Sequence, residues 1–565
     1  MSCERRLLVV GWDGATFDLL DSLIDRGLMP NLDGIMREGF RSTLLSTMPP
    51  ISAPAWSTLI TGMNPGQHGI LNFVDESPPD SAGLNRHVEE PASAPVEVFP
   101  GGYSVINATR IHAPTLWQRL TSAGKEIGVM NMPMTYPPEP VKGFMITGML
   151  TPPGASDYTY PSALRSELDD YEIELELGER EFDFPPVQFI SRTIEIAQKR
   201  GRTALRLMRE RAWDAFFVVF TGTDRIQHRF WNVLAPRAVA GQTSVEEREL
   251  LPLLHEYYKL LDSLLGEMLS VAGQDALTMV MSDHGFGPIG DRSVHRRVLA
   301  RMLGLQSAGS RSWPVRIRSF AESRLGVTWP RVRRVLARVA PRSWLQYVER
   351  NLRAREAESQ QKELGTIVPF VGHLGGIRFN RDAFGDRPMA EFRDQIAGEL
   401  TKLVDPRTGE NLVANVWPGD ALYHGELAAT CPDLVFALNP TYVLAGGVGR
   451  NRSLVGPRTS HPLLQGSHRR DGILIASGPG VRPDSSGEAR RLEDVTATIM
   501  AHQKLPVPKQ FDGRPIEEAL GGLEWVLSSG ETESRRAGFV ANGAWTSEEE
   551  MSAVVERLRG IGYLE

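Results

Sequence analysis

Short apolar runs recur along the chain at Leu7 to Val10, Ile127 to Met130, Phe216 to Phe220, Leu277 to Met281, Leu434 to Ala437 and Ile473 to Ala476. Each predicts a buried strand. Amphipathic helical segments alternate with them, the first expected to start at Thr16 as N-cap and to end near Gly27. This rhythm predicts an α/β fold with a mostly parallel central sheet flanked by helices. In such sheets ligands gather beyond the carboxyl ends of the strands. Several of these runs end in a chemically useful residue: Trp12-Asp13-Gly14 follows the first, Thr221-Gly222-Thr223-Asp224 the third, and Ser282-Asp283-His284 the fourth.

Two stretches break the rhythm. Residues 76–113 are rich in Pro, Ser and Gly and predict an inserted loop or cap. Residues 299–365 contain a basic helical insertion, in which Arg316, Arg318, Arg331, Arg333, Arg334 and further arginines up to Arg355 are interleaved with Trp313, Trp329, Leu336 and Trp344. Its simpler reading is a solvated helical insertion that balances acidic surface elsewhere. The alternative is a docking face, over 311–355, for an anionic group or a membrane surface. The expected catalytic core is therefore in three parts, 1–75, 114–298 and 366–525. A tail at 526–565 closes with the capping-box start Thr546-Ser547-Glu548-Glu549 and a helix carrying Met551, Val554, Val555 and Leu558.

Composition narrows the chemistry. With 565 residues, 41% of them hydrophobic, the chain can bury a large core, and its net charge of -7 gives no general attraction to a nucleic acid polymer. An anionic ligand then needs a local positive device. Only Cys3 and Cys431 are present, so neither a disulfide framework nor a thiolate zinc cage can form, and metal ligands must come from Asp, Glu, His and hydroxyl groups. The polar start runs straight into a short strand, and no apolar stretch reaches the ~18 residues of a membrane span, so a cytoplasmic protein without a transmembrane segment is expected.

Asp283 and His284 leave one strand end together, and Asp224 and His228, four residues apart, stack on one helical face. Either pair could chelate a cation. His468 lies in a tight loop before Ile473, and Asp13 follows the first strand in an Asp-Gly pair that otherwise reads as a turn. Ser52 precedes Pro54 at the start of a helix that Gly62 ends, where the positive end of the helix dipole suits a phosphate, a sulfate or a developing alkoxide. Its bland reading is a plain capping serine.

These segments, with Met29-Pro30-Asn31-Leu32 and Asn64-Pro65-Gly66-Gln67-His68-Gly69 and in this order, resemble the alkaline phosphatase superfamily, in particular its type I phosphodiesterase and nucleotide pyrophosphatase branch and the bacterial phosphohydrolase and phosphomutase relatives. The resemblance implies two divalent ions, zinc with manganese as the alternative. Asp224, His228 and His468 would hold one, and Asp13, Asp283, His284 and the Ser52 oxygen the other. It implies Ser52 as the nucleophile that forms a phosphoseryl intermediate, with an ion stabilising the leaving oxygen. His68 falls outside that set and reads as a structural histidine.

Departures from the pattern bear on the substrate. Nucleotide pyrophosphatases carry an Asn three residues after the nucleophile, where this chain has Ala55. Alkaline phosphatases place an Arg directly after it, where this chain has Ala53, and the sulfatase Arg is replaced by Trp56. Asn72, Asn131 and Arg469 are candidate substitutes that would bind the substrate's oxygens. The expected function is hydrolysis of a small phosphodiester or pyrophosphate, with a phosphomonoester next. A phosphomutase, then a sulfatase, are the other enzyme readings, and a metal-stabilised binding protein is the non-enzymatic one.

Overall fold

A computed structural model describes residues 6–75, 104–174, 184–235, 249–305, 363–384, 388–445, 453–483, 487–522 and 524–528, with Val554 and Leu558. The Arg-rich stretch 311–355, residues 76–103 of the expected cap, and the capping box at 546–549 lie outside the described residues. Val554 and Leu558 are helical and buried.

The chain divides into two compact units. The first comprises Met1–Pro288, Tyr423–Thr430 and Leu463–Leu564. Its strands include β1 (Leu7–Trp12), β2 (Phe40–Leu45), β3 (Ile127–Met132), β4 (Gly143–Thr147), β5 (Thr159–Tyr160), β6 (Ala215–Phe220), β7 (Leu277–Met281), β8 (Gly285–Pro288), β9 (Gly466–Arg469), β10 (Asp471–Ser477) and β11 (Arg490–Arg491). Nine of these build one sheet in the order β11-β2-β10-β7-β1-β6-β3-β4-β5. The five central strands β7, β1, β6, β3 and β4 are mutually parallel. Every residue of β1, β3, β6 and β7 is buried. Burial on both faces is why these strands read as unbroken apolar runs and not as alternating ones.

Helices cover both faces. Leu8, Val10 and Trp12 join a core made with α1 (Phe17–Asp25), α3 (Pro186–Glu210) and α5 (Leu251–Ala272). On the opposite face α2 (Ser52–Thr61) lies so close that a β-carbon on Gly11 would stand 2.7 Å from the Trp56 ring. Thr16 occupies the N-cap position of α1 as expected, with extended backbone, but its hydroxyl makes no capping bond. The chain then turns at Gly27 with φ +69°.

Two expectations about strands change. The run Ile473 to Ala476 lies within β10, which is antiparallel to both neighbours, β7 and β2. The run Leu434 to Ala437 belongs to the second unit, Ile289–Leu422 with Cys431–Pro462. There Leu434–Leu438 sits inside a four-stranded antiparallel sheet with 365–369, 374–379 and 413–418, over a separate core that includes Ile367, Ile377, Phe379, Leu434 and Phe436. The stretch 366–525 is thus shared between the two units. A short apolar run records that a strand is buried, while its partner and direction are set by packing. Among the described residues no helix is long and apolar enough to cross a membrane.

Candidate active site

The carboxyl ends of three adjacent parallel strands supply most of the chemistry. Asp13 follows β1, Asp283 and His284 follow β7, and β6 leads into α4 (Gly222–Leu234), whose first turns carry Asp224 and His228. His468 arrives on β9, directly opposite Phe286 of β8 in antiparallel register. These six side chains fall into two groups, Asp224 with His228 and His468, and Asp13 with Asp283 and His284. Within each group the potential ligand atoms lie within 4.8 Å of one another, and all six residues are buried.

The imidazoles are held in one sense. Nδ1 of His228 faces the Gly466 carbonyl at 3.1 Å, Nδ1 of His284 the Gly285 carbonyl at 3.0 Å, and Nδ1 of His468 the Pro50 carbonyl at 2.9 Å. A nitrogen facing a carbonyl must carry the proton, so each Nε2 presents a lone pair to the site. This outer arrangement is the one that orients histidines toward a metal. His228 Nε2 and His468 Nε2 stand 3.0 Å apart. Two lone pairs at that distance repel unless an electron-poor atom lies between them. Asp224 Oδ1 is 3.1 Å from His468 Nε2 and 3.4 Å from His228 Nε2, and His284 Nε2 is 3.6 Å from Asp13 Oδ1 and 3.5 Å from Asp283 Oδ2. Asp283 Oδ2 is buried and has no hydrogen-bond partner among the described residues. The donor set therefore fits a pair of divalent cations.

Electrostatics agree with that fit. Burial pushes Asp283 up to about 7, and burial together with Asp283 and Asp224 raises Asp13 well above the usual carboxylate range. Burial also acts to raise Asp224, but His228 and His468 outweigh it and hold that carboxyl well below its ordinary value. Burial lowers His284, and burial with the neighbouring His284 lowers His468 to about 3. Three carboxyl groups and three imidazoles in one buried space are stable together when cations neutralise the carboxylates.

Ser52 opens α2, fully buried, with Oγ 3.3 Å from His284 Nε2 and 3.4 Å from Asp13 Oδ1. One helical turn on, Trp56 Nε1 donates to Asp13 Oδ2 at 3.1 Å and fixes that carboxylate. Trp56 escaped notice in the sequence except as a replaced arginine, although its spacing of four from Ser52 places both on one helix face. Gly14, with φ +66°, donates its N–H to Asp283 Oδ1 at 3.2 Å, and a β-carbon there would stand 3.2 Å from the His284 ring. Gln227 Nε2 donates to the Gly14 carbonyl at 2.8 Å, tying α4 to the β1 loop. Phe286 packs edge-on against His228 at 4.8 Å between ring centres. Nothing in the local pattern around Gln227 or Phe286 distinguishes them.

The three residues proposed to bind substrate oxygens each make bonds within the protein. Asn72 Oδ1 accepts from the Phe73 N–H. Asn131 donates to Glu174 and accepts from the Tyr171 hydroxyl. Arg469 donates to the carbonyls of Ser467, His468 and Pro288.

His68 is buried in a structural role. Its Nδ1 accepts from the Ile70 N–H at 3.1 Å, so Nε2 carries the proton and faces Thr58 Oγ1 at 3.0 Å. Burial, with a smaller contribution from His112, lowers it to about 3. The unfolded chain binds this proton near pH 6.5 and the folded chain does not. Stability from this site is therefore present above pH 6.5 and is lost as pH falls toward 3, on the order of 4–5 kcal/mol at the limit. His68→Asn, which keeps an acceptor for Ile70, is expected to lower stability at pH 7 and to flatten its decline between pH 6.5 and 4. Denaturant melts across that range check this, and parallel declines for the two proteins would count against it.

A family model described as type I phosphodiesterase / nucleotide pyrophosphatase matches residues 7–464. Among solved structures, phosphonoacetate hydrolase from Sinorhizobium meliloti 1021, in complex with phosphonoformate, is 15% identical with a TM-score of 0.52, covering 87% of this chain and 94% of that one. Murine ectonucleotide pyrophosphatase / phosphodiesterase 5 is 14% identical with a TM-score of 0.45, covering 92% of this chain and 100% of that one. At these identities the first likeness speaks for the fold alone. No curated protein sequence matches the chain.

Proposed function

The chain belongs to the type I phosphodiesterase / nucleotide pyrophosphatase family and is a hydrolase acting on phosphoester bonds; from that premise we propose that it is a two-metal enzyme that cleaves a small phosphodiester or pyrophosphate through a phosphoseryl intermediate on Ser52. The observation that carries this reading is the position of Ser52 Oγ, within 3.4 Å of both Asp13 Oδ1 and His284 Nε2 at the start of a helix.

Asp224, His228 and His468 would hold one ion, and Asp13, Asp283 and His284, with the Ser52 oxygen, the other. Zinc suits this mixed carboxylate and imidazole set, with manganese as the alternative. Bound there, the ions would supply Lewis acidity toward the serine hydroxyl and the phosphoryl oxygens. The chain's own residues do the rest. Asp13 Oδ1 and His284 Nε2 bracket Ser52 Oγ and hold it where the ion they would bind would favour loss of its proton to solvent. The positive end of the α2 dipole favours the alkoxide and the phosphoryl oxygens beside it. The Oγ–P bond forms as the bond from phosphorus to the leaving oxygen breaks, and water then cleaves the phosphoseryl bond. Ala53 gives no side chain to clamp a dianionic monoester, which favours the diester, while Ala55 lacks the asparagine of the nucleotide pyrophosphatases, which weighs against a nucleotide as its alcohol part.

The test is turnover of aryl phosphate diester, aryl phosphate monoester and aryl sulfate by protein reconstituted with zinc or manganese. The diester should be cleaved fastest and the sulfate slowest. Absence of turnover with every ester under both metals would overturn the reading.

A further inference from the structure

Behind the Asp224 group lies a buried polar cluster that the proposed chemistry does not use. Glu174, Arg200, Arg225, Thr221 and Asn131 are each 3% exposed or less. Glu174 sits at their centre. Its Oε1 accepts from Thr221 Oγ1 at 2.8 Å and from Asn131 Nδ2 at 3.3 Å, and its Oε2 accepts from Arg225 Nη2 at 3.0 Å. Arg200, from α3, lies 3.9 Å from Oε1 and donates to the Val219 carbonyl of β6 at 2.9 Å.

The placement of these bonds is specific. Thr221 is the residue before α4, and it makes no capping bond to that helix. Its hydroxyl is turned to Glu174 instead. Arg225 follows Asp224 directly. One carboxylate thus grips the first turn of α4 on both sides of Asp224. It also reaches the end of β3 through Asn131, a non-glycine residue held at φ +58°. Such a backbone conformation persists where its surroundings over-determine it.

We propose that Glu174 is a positioning residue for the Asp224–His228–His468 half of the centre, acting through Arg225. The proposal rests on the metal-centre reading. The grip on Thr221 and Arg225 fixes the direction in which Asp224 leaves the helix.

The test is zinc binding by competitive titration, with zinc retained per chain measured after gel filtration. Wild type is expected to hold two ions. Glu174→Gln should weaken one of them by about 10- to 100-fold, the range for outer-sphere partners of metal ligands, and leave the other unchanged. Glu174→Asp, which keeps the charge but shortens the reach to Thr221 and Arg225, should weaken the same ion and spare the other. A residue with a merely structural role would lower fold stability and both sites together. Wild-type affinity at both sites in Glu174→Gln would overturn the proposal, as would equal weakening of both. Should Glu174→Gln fail to fold, Glu174→Asp decides alone: weakening confined to one ion supports the proposal, and unchanged affinity at both refutes it. A wild-type chain that holds no zinc would instead sink the metal-centre reading, a separate result.

Discussion

Replacing Ser52 with alanine is expected to lower diester turnover at least about 10³-fold, the scale on which loss of an attacking group acts, while both ions stay bound, the one at Asp13, Asp283 and His284 with one ligand fewer. The variant removes one buried oxygen. Ala is an excellent helix residue at this position of α2, and the three imidazoles, Asp13 and Asp283 keep the partners that orient them, which are backbone carbonyls, the Trp56 indole and the Gly14 N–H. Fold and metal sites should therefore survive, and the loss should fall on kcat. A labelled diester should transfer phosphorus covalently to wild type on acid quench and to Ser52→Ala not at all. Near-normal turnover in the variant would assign the nucleophile elsewhere, to water above all. Binding without catalysis in both proteins would favour a metal-stabilised binding protein.

Exhaustive chelation is expected to abolish turnover and to lower the unfolding temperature of the first unit, with both restored by zinc or manganese. The physical reason is the crowding of Asp13, Asp283 and Asp224 in one buried space. With protein alone, burial and mutual repulsion push Asp13 and Asp283 upward, and the Nε2 lone pairs of His228 and His468 confront each other at 3.0 Å. A cation that binds only the folded state removes both penalties. At a free metal concentration of 100 times Kd each site adds about 2.7 kcal/mol. Calorimetry of the metal-free and reloaded protein measures this. Full turnover in protein shown to be free of metal would be incompatible with the two-metal reading.

Much of this arrangement is written locally. The runs that form β1, β3, β6 and β7 are legible because burial on both faces leaves almost no polar position in them. The acids and imidazoles are legible because they follow those runs directly, where a parallel sheet presents its ligands. Ser52 is legible through Pro54 and Gly62, which bound a helix in any context. Elsewhere local signals mislead. The runs at Leu434 and Ile473 look like further parallel strands, yet one is antiparallel in the same sheet and the other belongs to a different unit. The bonds of Asn131 to Glu174 and of Arg469 to backbone carbonyls leave no local trace in the sequence.

The sequence by itself determined which residue types stand at the strand ends and in what order, because hydrophobic period, caps and turns act over a few residues. The tertiary structure alone decided which of them meet. It brings His468 to Asp224 across more than two hundred residues, sets each imidazole by a distant carbonyl such as that of Pro50, and places Glu174 behind α4. Those contacts arise from sheet order and helix packing, whose energy is distributed over the whole core, and no short segment of the chain encodes it.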